Sequence, residues 1–384
     1  MTAIPTFGCH NIAQLREEAR RRLPLGVWEY VERGVEDELG IARNRAALDA
    51  ITFAPHVLRN VERIDLATEL LGSPASFPLA VAPTGAAGIV WHNGDLALAK
   101  AAARAGVPFT ISSASTMDIE RIAVAGGSLW FQLYMWADRA LSHAVIGRAR
   151  DVGCSAMLVT LDLPVPPNRE YLHRNGFGTP FRLNARNTLD VLTHPRWLLG
   201  VMGRYALSGG IPSQANLPDR LRNKVTQSAH PGALFKQDDL DWGELAKLRD
   251  MWPGKLVLKG VLRADDACKA ADLGVDAVVV SNHGGRALDG SIAPAAALPA
   301  IVAAVGRRMD VLLDSGVRRG SEVAKALALG AKGVLAGRAA LYGLAVGGEE
   351  GVLRALELLR AETRRTMGML GARNVGEIDG DLLG

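Results

Sequence analysis

The chain has 384 residues, of which 48% are hydrophobic, enough for one large α/β barrel or two ordinary domains. Its formal net charge of +4 agrees with an acidic or phosphorylated ligand and argues against the dense basic face of a nucleic-acid-binding protein. The three cysteines are far apart in the chain and odd in number, which argues against a disulfide framework. The start of the chain, MTAIPTFGCH, lacks the basic and then apolar order of a signal peptide, and no apolar run reaches the roughly 20 residues of a membrane span. A cytoplasmic protein is therefore expected.

The first segment of the chain, residues 1–77, is predicted to be a helical preface. Its helical stretches are NIAQLREEARRRL, which Pro24 ends, then GVWEYVERG and ELGIARNRAALDAI. We expect this preface to lie outside the units that follow.

One pattern then recurs four times, consisting of an Ala-rich helix, a glycine, a short apolar strand and polar residues. LALAKAAARAG leads to VPFTISS, HAVIGRARDVG to CSAMLVTLD, ADDACKAADLG to VDAVVVSNH, and SEVAKALALG to AKGVLAGR. The glycines, Gly106, Gly153, Gly274 and Gly330, stand where a left-handed helix stop is needed. The strands are apolar without clean alternation, which is typical of a parallel sheet covered on both faces.

Four more strands fit between these units, in FPLAVAPTG, SLWFQLY, GKLVLKG and DVLLDSG. Eight parallel βα units predict a TIM (β/α)8 barrel within one domain that spans 1–384. A doubly wound sheet is the alternative, but it needs fewer strands, and no GxGxxG follows an early strand. The insertion after the fourth strand, 163–240, is long enough to indicate a functional or mobile loop.

The active site of such a barrel lies at the carboxyl ends of its strands. Those ends carry Thr84, Ser112, Ser113, Gln132, Tyr134, Thr160, Asp162, Lys259, Ser281, His283, Asp314, Gly337 and Arg338. Any one of these residues could be an ordinary strand end. A whole ring of donors and acceptors with one histidine, however, has no purpose in a purely structural barrel.

The last two strand ends are rich in glycine and arginine, in DSGVRRG (314–320) and AGRAALYG (336–343). Loops after the seventh and eighth strands commonly hold a phosphate with backbone N–H groups and a helix N-terminus. Gly316 and Gly337 allow close backbone approach, and Arg318 and Arg338 supply charge. The alternative is a solvated basic turn.

The stretch VVVSNHGGRALDG (278–290) delivers His283 to the mouth of the barrel. Gly284 and Gly285 let a flat ligand or the chain itself come close, and Arg286 is suited to a bidentate grip on a carboxylate. A base beside a carboxylate clamp is what proton abstraction from a 2-hydroxy acid requires. An isolated histidine is more often structural, but the GGR that follows favours a catalytic base.

These motifs resemble those of the FMN-dependent 2-hydroxy-acid dehydrogenases and oxidases. The likeness runs nearly end to end, through LPLGVWEYVERGVEDE, APTGAAG, WFQLY, VTLDLP with a later NRE, VLKG, SNHGGR, LDSGVRRG and KALALGAKGVLAGRA. PTG, SSAS and THPRW are most similar to the members that act on (S)-mandelate. The resemblance implies bound FMN, oxidation of an (S)-2-hydroxy acid and a homo-oligomer, by likeness a tetramer, and no metal site is predicted.

The resemblance also implies roles in substrate oxidation. His283 takes the proton, and Asp162 pairs with it and steadies the imidazolium. A buried Asp partner is expected to raise the pKa of the histidine. Tyr134 bonds the substrate hydroxyl. The substrate carboxylate is held by Arg169, Arg286 and Tyr30.

A second group of residues is implied to hold FMN. Lys259 lies beside N1 and O2 of the flavin. The other FMN-binding residues are Thr84, Ser112, Gln132 and Thr160 on the ring, Asp314 on the ribityl hydroxyls, Gly316, Arg318, Gly337 and Arg338 at the phosphate, and Pro83, Gly85 and Ser281.

Two small residues predict the substrate and the electron acceptor. Ala114 stands where family members that act on glycolate have a tryptophan, and the missing indole leaves room over the flavin for a phenyl ring. Mandelate or another bulky 2-hydroxy acid is therefore expected, unless another side chain fills the space. Gly85 stands where many oxidases have alanine, which predicts slow reaction with oxygen and faster turnover with a quinone or dye.

Three positions depart from the family pattern. Ala287 replaces a common glutamine, and Ser315 replaces a common glycine. A proline pair in VPPNRE (165–170) precedes the clamp arginine and puts the shape of that loop in doubt.

The long loop also carries an apolar stretch ringed by cations. DVLTHPRWLLGVMGRYALSGG (190–210) offers Trp197, Leu198, Leu199, Val201, Met202 and Tyr205. Eight basic residues between 174 and 226 oppose two acidic ones: Arg174, Arg182, Arg186, Arg196, Arg204, Arg220, Arg222 and Lys224 against Asp190 and Asp219. Such a segment, here 187–226, can lie peripherally on the inner face of an anionic membrane, as the resemblance also implies. A lid over the active site and a subunit contact are the alternatives.

Three other functions stay open. One is a small-substrate oxidase that acts on glycolate or lactate and releases H2O2. The second is a non-catalytic barrel that binds FMN, which has no reason to combine His283 and Asp162 with two arginines. The third is a flavin-dependent isomerase, which does not need the two-arginine clamp.

Overall fold

The computed structural model describes residues 5–177, 184–208, 210, 212–218, 221–222 and 235–384. The preface begins with three helices, α1 (Ile12–Arg22), α2 (Leu25–Glu32) and α3 (Leu39–Ala50). Pro24 separates α1 from α2, as predicted.

The prediction of a helical preface to residue 77 is wrong after Ala50. The end of the preface is an antiparallel hairpin of β1 (Thr68–Leu70) and β2 (Ser73–Ala75). Leu71 and Gly72 turn the chain with φ values of 52° and 76°, and two positive values are what a type I′ hairpin turn requires. Leu70, Leu71 and Ala75 are buried against the inner side chains of the barrel. The hairpin therefore covers the N-terminal end of the barrel.

Eight parallel strands follow and close into a barrel in chain order, with the last strand beside the first. They are β3 (Leu79–Val81), β4 (Phe109–Ser112), β5 (Leu129–Leu133), β6 (Ala156–Thr160), β7 (Lys255–Val261), β8 (Ala277–Val280), β9 (Asp310–Leu313) and β10 (Gly333–Ala336). The predicted TIM barrel is confirmed. The strand register sets Ser112 beside Gln132 and Thr160 beside Lys259, so predicted site residues become neighbours across strands.

Helices connect these strands and extend past the last one. They are α4 (Ala87–Val90), α5 (Gly94–Ala105), α6 (Ile119–Ala123), α7 (Arg139–Asp151), α8 (Glu170–Asn175), α9 (Ala185–Leu192), α10 (Pro195–Trp197), α11 (Arg204–Ser208), α12 (Trp242–Met251), α13 (Ala264–Asp272), α14 (Pro294–Val305), α15 (Gly320–Ala328) and α16 (Arg338–Leu370), with a π-helix at Leu198–Gly203 and 3-10 turns at Val375–Glu377 and Gly380–Leu382. The predicted left-handed stops are confirmed, with φ of 68°, 85°, 73° and 94° at Gly106, Gly153, Gly274 and Gly330.

Side chains fill the barrel axis below the strand ends. Trp130, Leu158, Val257 and Leu312 are fully buried there and belong to the same cluster as the hairpin. A second and larger core lies between the strands and the surrounding helices. The barrel is thus a packed core that presents its polar strand ends on one side.

The insertion between β6 and β7 packs part of its apolar stretch against the barrel. Trp197 and Val201, two members of the apolar stretch, are buried, and Trp197 Nε1 donates to the Ile89 carbonyl at 2.8 Å. Leu199, by contrast, is exposed. In the part of the chain that the structure describes, no helix combines the length and the apolar character that crossing a membrane requires. Four charged residues counted above lie outside the described residues: Arg182, Asp219, Arg220 and Lys224.

Candidate active site

A cavity of about 480 Å³ opens at the carboxyl ends of the barrel strands. Its volume lies within the roughly 300–1,000 Å³ that is typical of ligand pockets. The predicted site residues that line it are Tyr30, Pro83, Thr84, Gly85, Ser112, Gln132, Tyr134, Thr160, Arg169, Lys259, His283, Arg286, Asp314, Gly316, Arg318, Gly337 and Arg338. Asp162 and Ser281 stand behind this wall and contact His283, and Ser281 also contacts Lys259. The structure therefore gathers all the predicted residues around one cavity.

The imidazole of His283 is held between two other side chains. Its Nδ1 lies 2.8 Å from Asp162 Oδ1, and its Nε2 lies 3.3 Å from the Tyr134 hydroxyl. The carboxylate can only accept, so we place the imidazole hydrogen on Nδ1. The lone pair of Nε2 then points toward the tyrosine side of the cavity, where it can accept a proton.

The pKa of His283 lies below the ordinary value for a histidine. Burial is the largest cause, and the cations Lys259 and Arg169 act in the same direction. Asp162 raises the pKa, as expected from the sequence, but it does not outweigh the burial. Burial also acts to raise the pKa of Asp162, yet the histidine and Lys259 bring it below the usual range. At neutral pH, His283 is therefore a neutral base beside a charged carboxylate.

The glycines after His283 permit a turn that brings three chain segments together. His283, Gly284 and Gly285 have successive φ values of 59°, 67° and 74°. A Cβ on Gly285 would lie 2.7 Å from the backbone nitrogen of Ile41, and one on Gly284 would lie 3.1 Å from Arg338 Nη1. The close approach predicted from the glycine pair is thus made by the protein's own chain.

Two arginines face the cavity near the base. Neither Arg169 nor Arg286 forms an ion pair with a carboxylate among the described residues. Burial and the neighbouring Arg286 lower the pKa of Arg169, whose Nε also has no hydrogen-bond partner in the same part of the chain. Arg286 donates to the Arg33 carbonyl at 2.7 Å and lies 5.5 Å from the centre of the Tyr30 ring. Two close cations without a counter-charge make a site for an anion.

A chain of side-chain hydrogen bonds crosses three neighbouring strand ends. Ser112 Oγ donates to Gln132 Oε1 at 3.0 Å, and Gln132 Nε2 donates to Thr160 Oγ1 at 2.9 Å. All three side chains are buried. The hydroxyl of Thr84, on the adjacent strand end, is buried without a partner in the described structure. This wall presents a row of polar atoms that suits a flat heterocycle.

Lys259 lies at the bottom of the cavity beside an acidic partner. Its Nζ is 3.0 Å from Asp314 Oδ2 and donates to Ser281 Oγ at 3.0 Å. Burial alone would lower the pKa of Lys259, but Asp314 and Asp162 outweigh it and raise the pKa. The lysine therefore stays a fixed positive charge.

The far end of the cavity is cationic. Arg338 begins the long helix α16, and burial, with repulsion from Arg286, lowers its pKa to about 10. Its Nη2 has no partner among the described residues. Arg318 lies 3.8 Å from Glu32, whose carboxylate also accepts from Tyr342. Nothing in the sequence pointed to Glu32, because its role depends on α2 packing against a loop nearly 300 residues away.

One wall of the cavity is apolar, and no motif in the sequence predicted it. Phe235 lies 4.9 Å from Tyr134 and 5.8 Å from Trp136 between ring centres. The other apolar residues on this wall are Leu163, Val165, Pro166 and Pro167. A lone phenylalanine in the polar stretch GALFKQDD gave no signal. The proline pair whose effect was in doubt lines the cavity, and Arg169 reaches it nevertheless.

These residues fit FMN. The unpartnered hydroxyl of Thr84 and Nη2 of Arg338 are buried polar atoms that need a ligand in the described structure. The first stands on the wall of hydrogen-bonding strand ends, and the second stands at the cationic end with a helix N-terminus. A ring with donors and acceptors joined to a phosphate satisfies both kinds of group.

Comparisons with known proteins agree with this fit. The sequence model of a family described as FMN-dependent dehydrogenase matches residues 19–384. (S)-mandelate dehydrogenase of Pseudomonas putida is 41% identical over 374 residues, which cover 97% of this chain and 93% of that protein. L-lactate dehydrogenase of Ectopseudomonas mendocina is 40% identical over 371 residues, covering 96% and 97%. A crystal structure of the monotopic membrane protein (S)-mandelate dehydrogenase matches with a TM-score of 0.92 at 40% identity, covering 98% of this chain and 99% of that one.

Proposed function

Because the chain belongs to the family of FMN-dependent dehydrogenases, we propose that it oxidises an (S)-2-hydroxy acid with a bulky, aromatic side chain, such as mandelate, to the 2-oxo acid. One observation carries this proposal. A neutral histidine base, paired with Asp162, stands beside Arg169 and Arg286, which have no carboxylate partner in the described structure. An acid that carries both a hydroxyl and a carboxylate satisfies both features.

The residues divide the reaction between them. Arg169 and Arg286 bind the substrate carboxylate, with Tyr30 beside them. The Tyr134 hydroxyl and His283 Nε2, 3.3 Å apart, hold the substrate hydroxyl between them. His283 takes a proton that leaves the substrate, and Asp162 stabilises the resulting imidazolium. FMN held in this cavity would supply the redox chemistry, as the acceptor of the two electrons and of the second hydrogen of the substrate.

The same cavity provides the groups that hold FMN. Thr84, Ser112, Gln132, Thr160 and Lys259 contribute the polar atoms for the ring system. The remaining contacts are Asp314 toward the ribityl hydroxyls, Gly316, Arg318, Gly337 and Arg338 toward the phosphate, and Pro83, Gly85 and Ser281 in the adjoining backbone turns.

The space over the cavity supports a bulky substrate. A Cβ on Gly85 would lie 3.2 Å from Ala114 Cβ and 3.6 Å from the Tyr30 hydroxyl, so two small residues adjoin the carboxylate-binding tyrosine. The facing wall of Leu163, Val165 and Phe235 is apolar. A phenyl group packed there is removed from water. Lactate is the second candidate, because the lactate dehydrogenase relative is about as similar as the mandelate one.

Anaerobic reduction of the bound flavin tests this function. We expect (S)-mandelate to bleach the flavin, with kcat/KM about 10- to 100-fold above that for glycolate because a buried aromatic ring contributes about 1.5–3 kcal/mol. Ala114→Trp should remove this preference by filling the space, without lowering kcat/KM for glycolate. A flavin that no 2-hydroxy acid bleaches would favour a non-catalytic barrel or an isomerase, and faster reduction by glycolate or lactate would contradict the aromatic substrate.

The second half of the same experiment concerns the electron acceptor. We propose a quinone or another small acceptor in preference to oxygen, since Gly85 stands in place of a common alanine. The reduced enzyme is mixed with air-saturated buffer or with a soluble quinone. Reoxidation in air at the full turnover rate, with stoichiometric peroxide, would instead support an oxidase. The homo-oligomer expected from the resemblance stays a prediction.

We further propose that the insertion contacts the inner face of a membrane. Leu189, Leu192, Leu199 and Leu207 are between 60% and 92% exposed, although they belong to the same insertion as the buried Trp197. Exposed arginines lie among these leucines: Arg186, Arg196 and Arg204. An apolar edge with interspersed cations can enter the headgroup region of an anionic bilayer. The structural relative described as monotopic supports this placement.

Binding to vesicles tests the membrane contact. The full chain should co-sediment with anionic liposomes at low salt and less at high salt, because each basic residue near the surface contributes about 1 kcal/mol through a screened interaction. Replacing the four exposed leucines by glutamine should abolish binding. Val124→Gln with Leu288→Gln, which removes equally exposed apolar side chains elsewhere, is the matched control. Equal binding by both variants, or none by the parent chain, would leave a lid or a subunit contact as the role of the insertion.

A further inference from the structure

Ser315 occupies a conformation that its side chain disfavours. It directly follows the strand-end Asp314, is nearly buried and has a φ of 74°. This left-handed region suits glycine, whereas a Cβ crowds the backbone there. A strained residue beside a functional cavity persists when its surroundings compensate for the strain.

The hydroxyl of Ser315 provides that compensation through three hydrogen bonds. Its Oγ accepts from the backbone N–H of Asn282 at 3.2 Å and of Gly284 at 2.9 Å. It donates to Asp314 Oδ1 at 2.7 Å. A hydroxyl has one donor and two acceptor positions, so its full capacity is used here.

The two backbone N–H groups that donate to Ser315 Oγ belong to Asn282 and Gly284, the residues on either side of His283. The amide of His283 itself donates to Ser281 Oγ at 3.0 Å. Two serine hydroxyls therefore hold three consecutive N–H groups around the base. Because His283 also has a positive φ, of 59°, its own backbone preference does not keep this turn in place.

Both serines also join the turn to the buried ion pair. Asp314 accepts from Ser315 on Oδ1 and lies 3.0 Å from Lys259 Nζ on Oδ2. Lys259 in turn donates to Ser281 Oγ at 3.0 Å. The backbone that carries the base is thus fixed to the lysine that lines the floor of the cavity.

We propose that Ser315 is a positioning residue for His283. It acts through the backbone turn and not on the substrate, and it sets where Nε2 stands relative to the Tyr134 hydroxyl. A glycine would adopt the same backbone without strain, but it would leave the amides of Asn282 and Gly284 without this acceptor. The proposal rests on the function proposed above, in which His283 is the base.

Two variants separate the effect of the Ser315 hydroxyl from the effect of the backbone strain. Ser315→Ala removes the hydroxyl and keeps the strain, whereas Ser315→Gly removes both. We expect both holoenzymes to retain full FMN content and to show flavin reduction by (S)-mandelate slowed about 10- to 100-fold, since a base displaced by about 1 Å can lose that much. The Kd of the unreactive 2-oxo acid should stay unchanged, because Arg169 and Arg286 are untouched. Ser315→Gly should melt less far below the parent enzyme than Ser315→Ala does, since both lose the same hydrogen bonds but only the glycine is relieved of strain.

Ser142→Ala is the matched control. Ser142 is a fully buried serine that accepts from the Trp136 amide at 2.9 Å, and it does not line the cavity. This variant should lose thermal stability but reduce its flavin at the parent rate. Parent-like reduction in Ser315→Gly would overturn the proposal, as would a slow rate that lost FMN accounts for, which marks a purely structural role. Failure of the parent enzyme to react with any 2-hydroxy acid would instead overturn the proposed function itself.

Discussion

His283→Gln is expected to keep FMN bound and to slow flavin reduction by about two to four orders of magnitude, the range that a general base contributes. Glutamine preserves the volume and a hydrogen-bonding end, so Asp162 and Tyr134 can still pack around it. It cannot take a proton from the substrate. The measurement is anaerobic stopped-flow reduction by (S)-mandelate, with flavin content read from the absorption spectrum.

The pH dependence of the parent enzyme gives the same prediction a second readout. His283 acts in its neutral form, and burial sets its pKa below the ordinary histidine value. The value of kcat/KM should therefore be constant around neutral pH and should decrease only when the pH drops through that lowered pKa. His143→Gln, an exposed histidine on α7, is the control and should leave both the rate and the acid limb unchanged. Rapid reduction in His283→Gln would exclude the histidine as the base.

Arg169→Met is expected to lower kcat/KM for a 2-hydroxy acid by about 100- to 1,000-fold, mainly through KM. Truncating one partner of a buried, charge-assisted pair costs about 2–5 kcal/mol. Arg286 remains, but one of its nitrogens is already committed to the Arg33 carbonyl. The kcat/KM of Arg169→Lys should lie between those of the parent enzyme and Arg169→Met, because lysine keeps the charge and loses the bidentate fork.

An uncharged substrate identifies the cause of this loss. The methyl ester of the 2-hydroxy acid has no carboxylate, so the parent enzyme and Arg169→Met should oxidise it at similar, low efficiency. Arg174→Met changes an exposed arginine on the neighbouring helix α8 and is the matched control. A loss that is equally large with the ester would show that Arg169 shapes the cavity and does not bind the carboxylate.

Local features of the sequence were sufficient to predict the barrel and the place of its site. Glycines such as Gly106 end helices because only their backbone geometry suits the stop, and a parallel barrel brings every carboxyl strand end to one side. His283 and Asp162, which are far apart in the chain, therefore meet because each follows a strand. The hairpin of 68–75 was missed because it forms against the open end of a barrel that a local pattern does not reveal.

Other misses have the same non-local cause. The sequence of the insertion shows that Trp197 and Leu199 are both apolar, but only the tertiary packing decides which of the two side chains is buried. The pKa of His283 is a balance between burial and three charges, those of Asp162, Lys259 and Arg169, which come from different strands and loops. Phe235 and Ser315 act through partners about 100 and 30 residues away, respectively, and their neighbours in sequence do not reveal these partners.

The hairpin and the filled axis also determine where ligands can enter and leave the barrel. Trp130, Leu158 and the hairpin residue Leu70 leave no passage along the axis in the described part of the chain. We therefore expect substrate and product to share one entrance at the carboxyl ends of the strands. Because the product leaves by the route through which the substrate enters, we expect excess product to inhibit the reaction.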